Sequence, residues 1–457
     1  DGNENIALMI NLMSVLSSSF AILFLYLSLV IIIKKFTKLM DLNPENQKFS
    51  ILGSAAIGAL SLCFSDSFWF NAVEAEVYAM ATLILSVLFW LALKWEEEMN
   101  TEYGDRWLLI ISFVIGLSFG VHFMGLLTIH SIVMILFFKN TKKITFKNFI
   151  LSNLISVAIL LFIFKLLLPS TLAIFGEVEV YFVNNLNLPF NTGTIFTGII
   201  ILLLFYYGLK FTSKKNWVNI NTGILSLFFV LLGFSSWIML PIRANANTVI
   251  NENSPTDARQ LLAYYNLEQY PETKLFYGPM FSDMYAGQDD IEPYINDKPK
   301  YERDYTLKKY VIVNNWEGAK VNSNRNHRGI LPRLWSPEHA GNYINFTGPL
   351  NFRLSSEYKN SKELKSVVSE FYQQQLDGEL TGEDYHNFYK NMARYIVIEK
   401  PTFLSNLYFF ITYQVNYMYV RYFMWNFVGR QDDVQGNFDI LHGNWLSGIN
   451  FIDEIRL

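Results

Sequence analysis

One apolar block after another fills the first 240 residues of this 457-residue chain, and that leaves it few ways to fold. Candidate spans are Ile6–Ile33, Phe49–Phe64, Ala75–Leu93, Trp107–Gly120, Gly125–Phe138, Phe149–Leu168, Ile195–Leu209 and Ile224–Leu240. A helix needs about 20 apolar residues to cross a bilayer. The charged share, 17%, falls below the roughly 25% of soluble domains. The expected fold class is mainly α, a polytopic α-helical membrane protein.

Loop charge fixes the number of spans. Lys34, Lys35, Lys38 and Lys48 lie in one loop, and Lys94 and Arg106 bracket a second. Lys139, Lys142, Lys143 and Lys147 fill a third, and Lys210, Lys214 and Lys215 a fourth. The intervening loops, Ser65–Glu74, Gly120–Met124 and Pro169–Thr194, hold no Lys or Arg. This alternation follows the positive-inside rule only if Trp107–Phe138 is a hairpin broken near Gly120–Gly125. As one helix it would be about 48 Å long, too long for a core of about 30 Å. The reading is about eight helices over residues 1–240, with everything after Leu240 on the non-cytoplasmic side.

Small residues Gly53, Ser54, Ala55, Ala56, Gly58 and Ala59 suit the second span to close packing. Residues 241–402 carry most of the charge, with turn signals at Asn253-Ser-Pro255, Tyr277-Gly-Pro279 and Ser336-Pro337. They read as a non-cytoplasmic, α-rich soluble domain with helices at Asp257–Tyr270, Ser361–Gln375 and Thr381–Val397. The last opens on a Thr381-Gly-Glu-Asp384 capping box. Residues 403–457 follow, dense in aromatics as far as Val428. A ninth span is one reading and an interfacial helix the other; Arg421 and Arg430-Gln-Asp-Asp433 favour the interface.

The stretch Ser67–Ala79 holds Glu74 and Glu76 between two apolar segments, with no Lys or Arg. Acids at a membrane boundary are costly unless solvated, paired or used. The alternative is a wet loop opening a helix, where acids favour the N-terminus. Two apart on a helix, they would point to opposite faces, and either suits a general base. His122 sits at the hairpin break, as a helix-end hydrogen bonder or a catalyst. His130 is expected to pack or to bond a backbone carbonyl. Arg243 follows the last span, and Arg421 and Arg430 flank an aromatic segment. Their planar forks suit a phosphate or a carboxylate. The net charge of −4 argues against a nucleic-acid partner. The single cysteine, Cys63, supports no disulfide framework and no Cys-based zinc site.

Several segments are familiar together: Phe68-Trp69 with Ala75–Ala79, Gly116–His122, Pro241–Asn247, Arg421–Gln431, Gly443-Asn-Trp445 and Phe451-Ile-Asp453. They resemble the transmembrane protein 260-like family of polytopic membrane proteins. The resemblance implies a GT-C-type glycosyltransferase that moves a hexose, mannose in animal members, from a polyprenyl-phosphate donor to Ser or Thr hydroxyls outside the cytoplasm. It further implies a bacterial inner membrane, no cofactor or metal, and a lipid-linked sugar, a protein acceptor and membrane lipids as partners.

Glu76, Glu74 and His122 are then the catalytic candidates, with Arg243, Arg430 and Arg421 for the donor phosphate. Such enzymes keep their main catalytic carboxylate in the loop after the first span, in a Trp-Asp-x-Gly-Glu-like segment. No such segment occurs here. The expectation is a chain that begins downstream of that loop and is inactive alone. A transporter or a non-catalytic assembly protein is the competing reading. The one-sided gathering of charge and the absence of a visible repeat disfavour the first.

Overall fold

The computed structural model describes residues 4–37, 44–246, 248–270, 274, 276–331, 340–425, 428–432, 434 and 441–456. Lys38, Ser336-Pro337, Asn247, Asn426, Phe427 and Asp433 lie outside the described residues. Two compact units emerge, Asp1–Tyr270 with Tyr301–Val311, and Pro271–Lys300 with Ile312–Leu457. The expected boundary after Leu240 lies within the first.

Unit 1 is a helical bundle. Its helices are α1 (Glu4–Thr37), α2 (Pro44–Cys63), α3 (Asp66–Val73), α4 (Val77–Glu98), α5 (Asp105–Ser118) and α6 (Leu127–Asn140). Then come α7 (Phe146–Leu161), α8 (Leu168–Asn184), α9 (Thr192–Lys214), α10 (Val218–Phe234), α11 (Met239–Ala244) and α12 (Ala258–Tyr265). Among the described residues, six stretches are long and apolar enough to cross a membrane: Asn5–Thr37, Val77–Glu98, Phe123–Asn140, Phe146–Asn184, Thr192–Lys214 and Val218–Ala244. Pro44–Cys63 with Ser67–Val73, bent by 67°, makes a seventh if it is one broken span. The chain is an integral membrane protein of mainly α class.

Each of the eight expected spans meets a helix, but α5 has only 14 residues. At 1.5 Å per residue it reaches about 21 Å, short of the core. The chain does break between α5 and α6, through a turn and a 3-10 segment at Phe123–Leu126.

Two expected loops are instead helical. Ser65–Glu74 is mostly α3. Pro169–Thr194 is mostly α8, because a π-helical segment at Phe162–Leu167 precedes it and Pro169 falls in the first turn of α8, where a missing N–H costs little.

Helices α5 and α10 meet glycine against glycine. A Cβ on Gly116 would stand 2.1 Å from the Val230 carbonyl oxygen, and one on Gly233 2.2 Å from that of Phe113. Backbone contact of this kind is how helices associate where lipid removes the hydrophobic drive. The core around it holds Leu88, Trp95, Ile111, Ile115, Phe234 and Trp237. Of the small residues on α2, Ala55 and Ala59 are buried, and Gly58 faces Leu29.

Unit 2 mixes helices with strand pairs and is less purely helical than expected. Its helices are α13 (Ala340–Thr347), α14 (Lys362–Leu376), α15 (Gly382–Met392), α16 (Phe403–Phe409), α17 (Arg421–Trp425) and α18 (Asn450–Arg456). The strands of the chain are β1 (Tyr277–Pro279), β2 (Tyr294–Ile295), β3 (Tyr301–Asp304), β4 (Lys309–Ile312), β5 (Lys320–Val321), β6 (Arg328–Ile330), β7 (Phe352–Leu354), β8 (Ile396–Ile398), β9 (Gly429–Arg430) and β10 (Trp445–Leu446). Among the described residues they form only two-stranded ladders: β1–β6, β2–β5, β3–β4, β7–β8 and β9–β10.

The caps were readable. Asp257, Ser361 and Thr381 each accept a first-turn N–H, and Thr381 with Asp384 completes the capping box. The helix expected to reach Val397 stops at Met392, since β-branched Ile396-Val-Ile398 pairs as β8 with β7. The aromatic segment is helical from Phe403 to Trp425, with a long π stretch at Phe410–Val420. Phe409 and Tyr413 on it are buried in the unit 2 core, while Tyr408, Tyr419 and Tyr422 are exposed.

Replacing Gly116 by Leu should lower stability by about 3 kcal/mol, at the upper end of overpacking costs. Gly53→Leu, whose added Cβ meets nothing within 4 Å, should shift it by less than about 0.5 kcal/mol. Thermal unfolding of the detergent-solubilised protein compares them, and equal melting would remove the glycine contact as the organising one.

Candidate functional site

Glu74 follows α3 and Glu76 precedes α4, both in extended conformation and both exposed. The Glu76 N–H donates to the Glu74 carbonyl at 2.9 Å. Neither lies on a helix, so the expected division between two helix faces does not apply. The break sets the two acids in a turn instead. The first turn of α4 carries Tyr78, whose ring lies 5.6 Å from that of His122. His122 caps the 3-10 segment, its Nδ1 accepting the Met124 N–H at 3.2 Å. The two boundary features found in sequence therefore meet at one end of unit 1. His130 pairs with a hydroxyl, Ser156 Oγ at 2.7 Å, and not with a backbone carbonyl.

The other end of α4 is chemically opposite. Lys35 and Lys139 both pair with Glu96, and Lys94 with Glu97 at 3.0 Å. Glu98 accepts from Arg106 and the Trp107 indole, each at 2.8 Å. Twenty-two residues of α4 separate the ends by about 33 Å, the thickness of a hydrocarbon core. Acids at one end are matched by cations from α1, α5 and α6; those at the other end have no cation partner among the described residues.

Arg243 lies on α11, exposed, and its guanidinium makes no hydrogen bond or ion pair among the described residues. Two residues earlier, Pro241 lines a cavity of about 480 Å³ between α8, α9, α10 and α12. The walls are apolar, with Phe175, Ile201, Phe205 and Leu231 among them, and the polar lining includes Asn191, Thr194 and Asp257.

Beside that cavity is a buried ionic cluster that sequence reading did not assemble. Glu179, fully buried, accepts the Asn191 N–H at 2.5 Å and the Thr194 N–H at 2.9 Å, so it caps α9. Gly193 permits this, because a Cβ there would stand 2.5 Å from Glu179 Cα. Arg303 on β3 stands 4.0 Å from Glu179 and 3.2 Å from Asp257 Oδ2. Its Nε–H donates to the Tyr310 hydroxyl at 2.9 Å, which leaves Asp257 Oδ2 with an ion pair but no hydrogen bond. Burial pushes the Asp257 carboxyl above its ordinary value of 3.8, against the pull of the Gln260 N–H and Arg303. Burial also pushes Tyr310 up. Tyr310 and Asp257 hold Arg303 above its ordinary value, although burial opposes the charge.

The remaining candidates belong to unit 2. Arg421 is 7% exposed, with its guanidinium 3.9 Å from the Tyr417 ring centroid and 5.0 Å from that of Trp425. Arg430, exposed on β9, stands 4.3 Å from the same indole. Among the described residues, no group of three or more His, Cys, Asp or Glu side chains could hold a metal ion.

Residues 1–145 match the family model described as the protein O-mannosyl-transferase TMEM260 N-terminal domain. That stretch, under a third of the chain, is similar to the transmembrane protein 260-like family. Residues 271–411 match a family of unknown function. No curated protein and no solved structure matches the chain. Glu74, Glu76 and His122 thus fall inside the matched N-terminal stretch, whereas Arg243, Arg421 and Arg430 fall outside both stretches.

Removing Arg303 would leave Glu179 and Asp257 as buried carboxylates without a cation. Arg303→Met should cost about 3–5 kcal/mol. Adding Asp257→Asn, which keeps an N-cap acceptor, should recover part of it. The pH dependence has a sign. A carboxyl with a raised folded pKa keeps a proton the unfolded chain has lost, so its contribution declines as pH rises from about 3.8 through the raised value. Arg303→Met should therefore melt higher in mild acid than at neutral pH. Thermal unfolding across pH decides this, and wild-type melting in Arg303→Met would show the cluster to be dispensable.

Proposed function

We propose that this protein is a membrane glycosyltransferase that moves a hexose from a polyprenyl-phosphate donor to Ser or Thr hydroxyls of proteins, with its active face on the non-cytoplasmic side of a bacterial inner membrane. The observation that carries the reading is the pair of unmatched acids, Glu74 and Glu76, beside Tyr78 and His122 within the stretch shared with the mannosyltransferase family. A GT-C-type arrangement, with a carboxylate at the membrane face and a lipid chain in the bilayer, is the architecture this reading expects.

The chemistry derives from the groups present. The acceptor hydroxyl oxygen attacks the anomeric carbon, and the bond from that carbon to the phosphate oxygen breaks. Glu76 takes the hydroxyl proton, and polyprenyl phosphate leaves. A charge-assisted bond from Arg243 would hold the phosphate, its planar fork suiting two oxygens. The apolar cavity begun by Pro241 would receive part of the lipid chain.

In the complete enzyme, Glu76→Gln should lower turnover by at least about tenfold, the low side of positioned acid–base effects, with Glu74→Gln milder. Arg243→Lys should weaken apparent donor affinity by roughly ten- to a hundredfold while sparing turnover at saturation, as expected for loss of a charged hydrogen bond. Transfer of labelled hexose to a Ser/Thr peptide is the assay. Near-normal rates in both acid variants would remove these residues from the chemistry.

Orientation has its own check. Reporters fused at Lys143 or Lys214 should read cytoplasmic and one at Lys300 outside. A cytoplasmic signal at Lys300 would put the acids and the soluble unit on different faces.

A further inference from the structure

Unit 2 contains a polar trough of about 640 Å³, a size usual for small-molecule sites. We propose that it binds an uncharged hexose or short glycan through Asp290, Asn326, Arg353 and Glu399. The inference stands apart from the transfer reaction and concerns the stretch matched only to a family of unknown function.

These four side chains line one trough, yet none makes a hydrogen bond or ion pair among the described residues. All four groups are planar, and a planar group with two polar atoms can meet two neighbouring hydroxyls at once. The carboxylates accept, the guanidinium donates, and the amide does both. His327 adds a buried ring whose Nδ1 is fixed on Ser282 Oγ at 3.0 Å. Lys400, also in the lining, is engaged on the Arg328 carbonyl at 3.0 Å.

Charge selects the class of ligand. Two acids oppose Arg353 and Lys400, so neither an anion nor a cation meets a matching field. A neutral molecule with many hydroxyls satisfies acceptors and donors together. The aliphatic side chains of Ala393, Ile396 and Val397 complete the lining, suiting the C–H face of a sugar ring.

Hydrogen bonds within unit 2 hold the loops that frame the trough. Arg325 clamps Asp289 with two bonds of 2.8 Å, and Asp289 also accepts the Ile291 and Glu292 N–H groups. Arg325 holds the Asp289 carboxyl well below the usual carboxylate range. Asp283 accepts the Asn324 N–H at 2.8 Å. Ordering cost on binding is thereby reduced.

The test uses the full chain in lipid nanodiscs, with methyl mannopyranoside and methyl glucopyranoside followed by saturation-transfer NMR and titration. Binding of at least one hexoside is expected. Arg353→Ala and Glu399→Gln should each weaken it by roughly ten- to a hundredfold, since each removes a charged hydrogen bond. Both residues are exposed, and unchanged thermal unfolding confirms that the variants fold. Glu76→Gln should leave this binding intact. The proposal fails if neither hexoside binds or if both trough variants bind normally. It fails equally if Glu76→Gln abolishes the signal, or if the trough variants lose binding of a Ser/Thr peptide while keeping the sugar.

Discussion

A helix in hydrocarbon satisfies its own backbone but can hold charge cheaply only at its ends, and the two ends of α4 use that allowance differently. At its C-terminal end Glu96, Glu97 and Glu98 meet Lys35, Lys139, Lys94 and Arg106 from its own last turns and three neighbouring helices. Such pairs contribute little stability singly, on the order of 0–1 kcal/mol. Together they fix which helix ends lie side by side. At its N-terminal end Glu74 and Glu76 have no such partners among the described residues. The acids at one end are thus tied into the packing of the helices, while Glu74 and Glu76 stand exposed at the other.

A second chain of consequence begins at Pro169. In the π segment before it the Leu168 N–H reaches back five residues to the Ile163 carbonyl. The next such bond would run from residue 169 to Phe164, and proline has no N–H to make it. The Tyr265 hydroxyl fills that vacancy, donating to the Phe164 carbonyl at 2.9 Å; burial raises its pKa to about 12. This bond anchors α12 against the bundle. The N-cap of α12 is Asp257, which docking buries near Glu179. Two carboxylates so placed need a cation, and Arg303 supplies it from the β3–β4 pair. The bond left open in one helix is thus linked, contact by contact, to a buried ionic cluster whose cation, Arg303, comes from more than a hundred residues further along the chain.

Such long-range dependence separates what could be read from the chain from what could not. Apolar blocks and the helix starts at Ser361 and Thr381 are local signals, and each falls on a helix, although the Thr381 helix ends at Met392, short of the expected Val397. Gly116 and Gly233 are recognisable as small residues, but only the packing of α5 on α10 shows that they meet. Pro169 read as a loop because a proline usually ends a helix, and the π segment that accommodates it has no spacing signature. Arg303 lies in a stretch that looks like ordinary soluble sequence, and its partners come from elements far apart in order. Glu74 and Glu76 were legible because they interrupt an apolar pattern; the Asp257 cluster was not, because burial there is a tertiary event.

The most distinctive sequence segment, Arg421–Gln431, is accounted for largely by its own packing. Arg421 and Arg430 both lie over the Trp425 indole, whose N–H donates to the Gly443 carbonyl at 3.0 Å. Gly443 has a left-handed φ of 63°, and a Cβ there would stand 2.6 Å from the Val434 carbonyl oxygen, so glycine is required. Gln431 and Asn444 bond each other by backbone and side chain, while Asp432 accepts from His442 and the Gly443 N–H. Those two bonds hold the Asp432 carboxyl below its ordinary value. Asp453 closes the region by accepting from Ser447 and Gly448. Among the described residues, Trp425 and Gln431 find their partners in the stretch around Gly443-Asn444. A distinctive motif can thus reflect local packing, and here Arg421 and Arg430 both stack on the Trp425 indole.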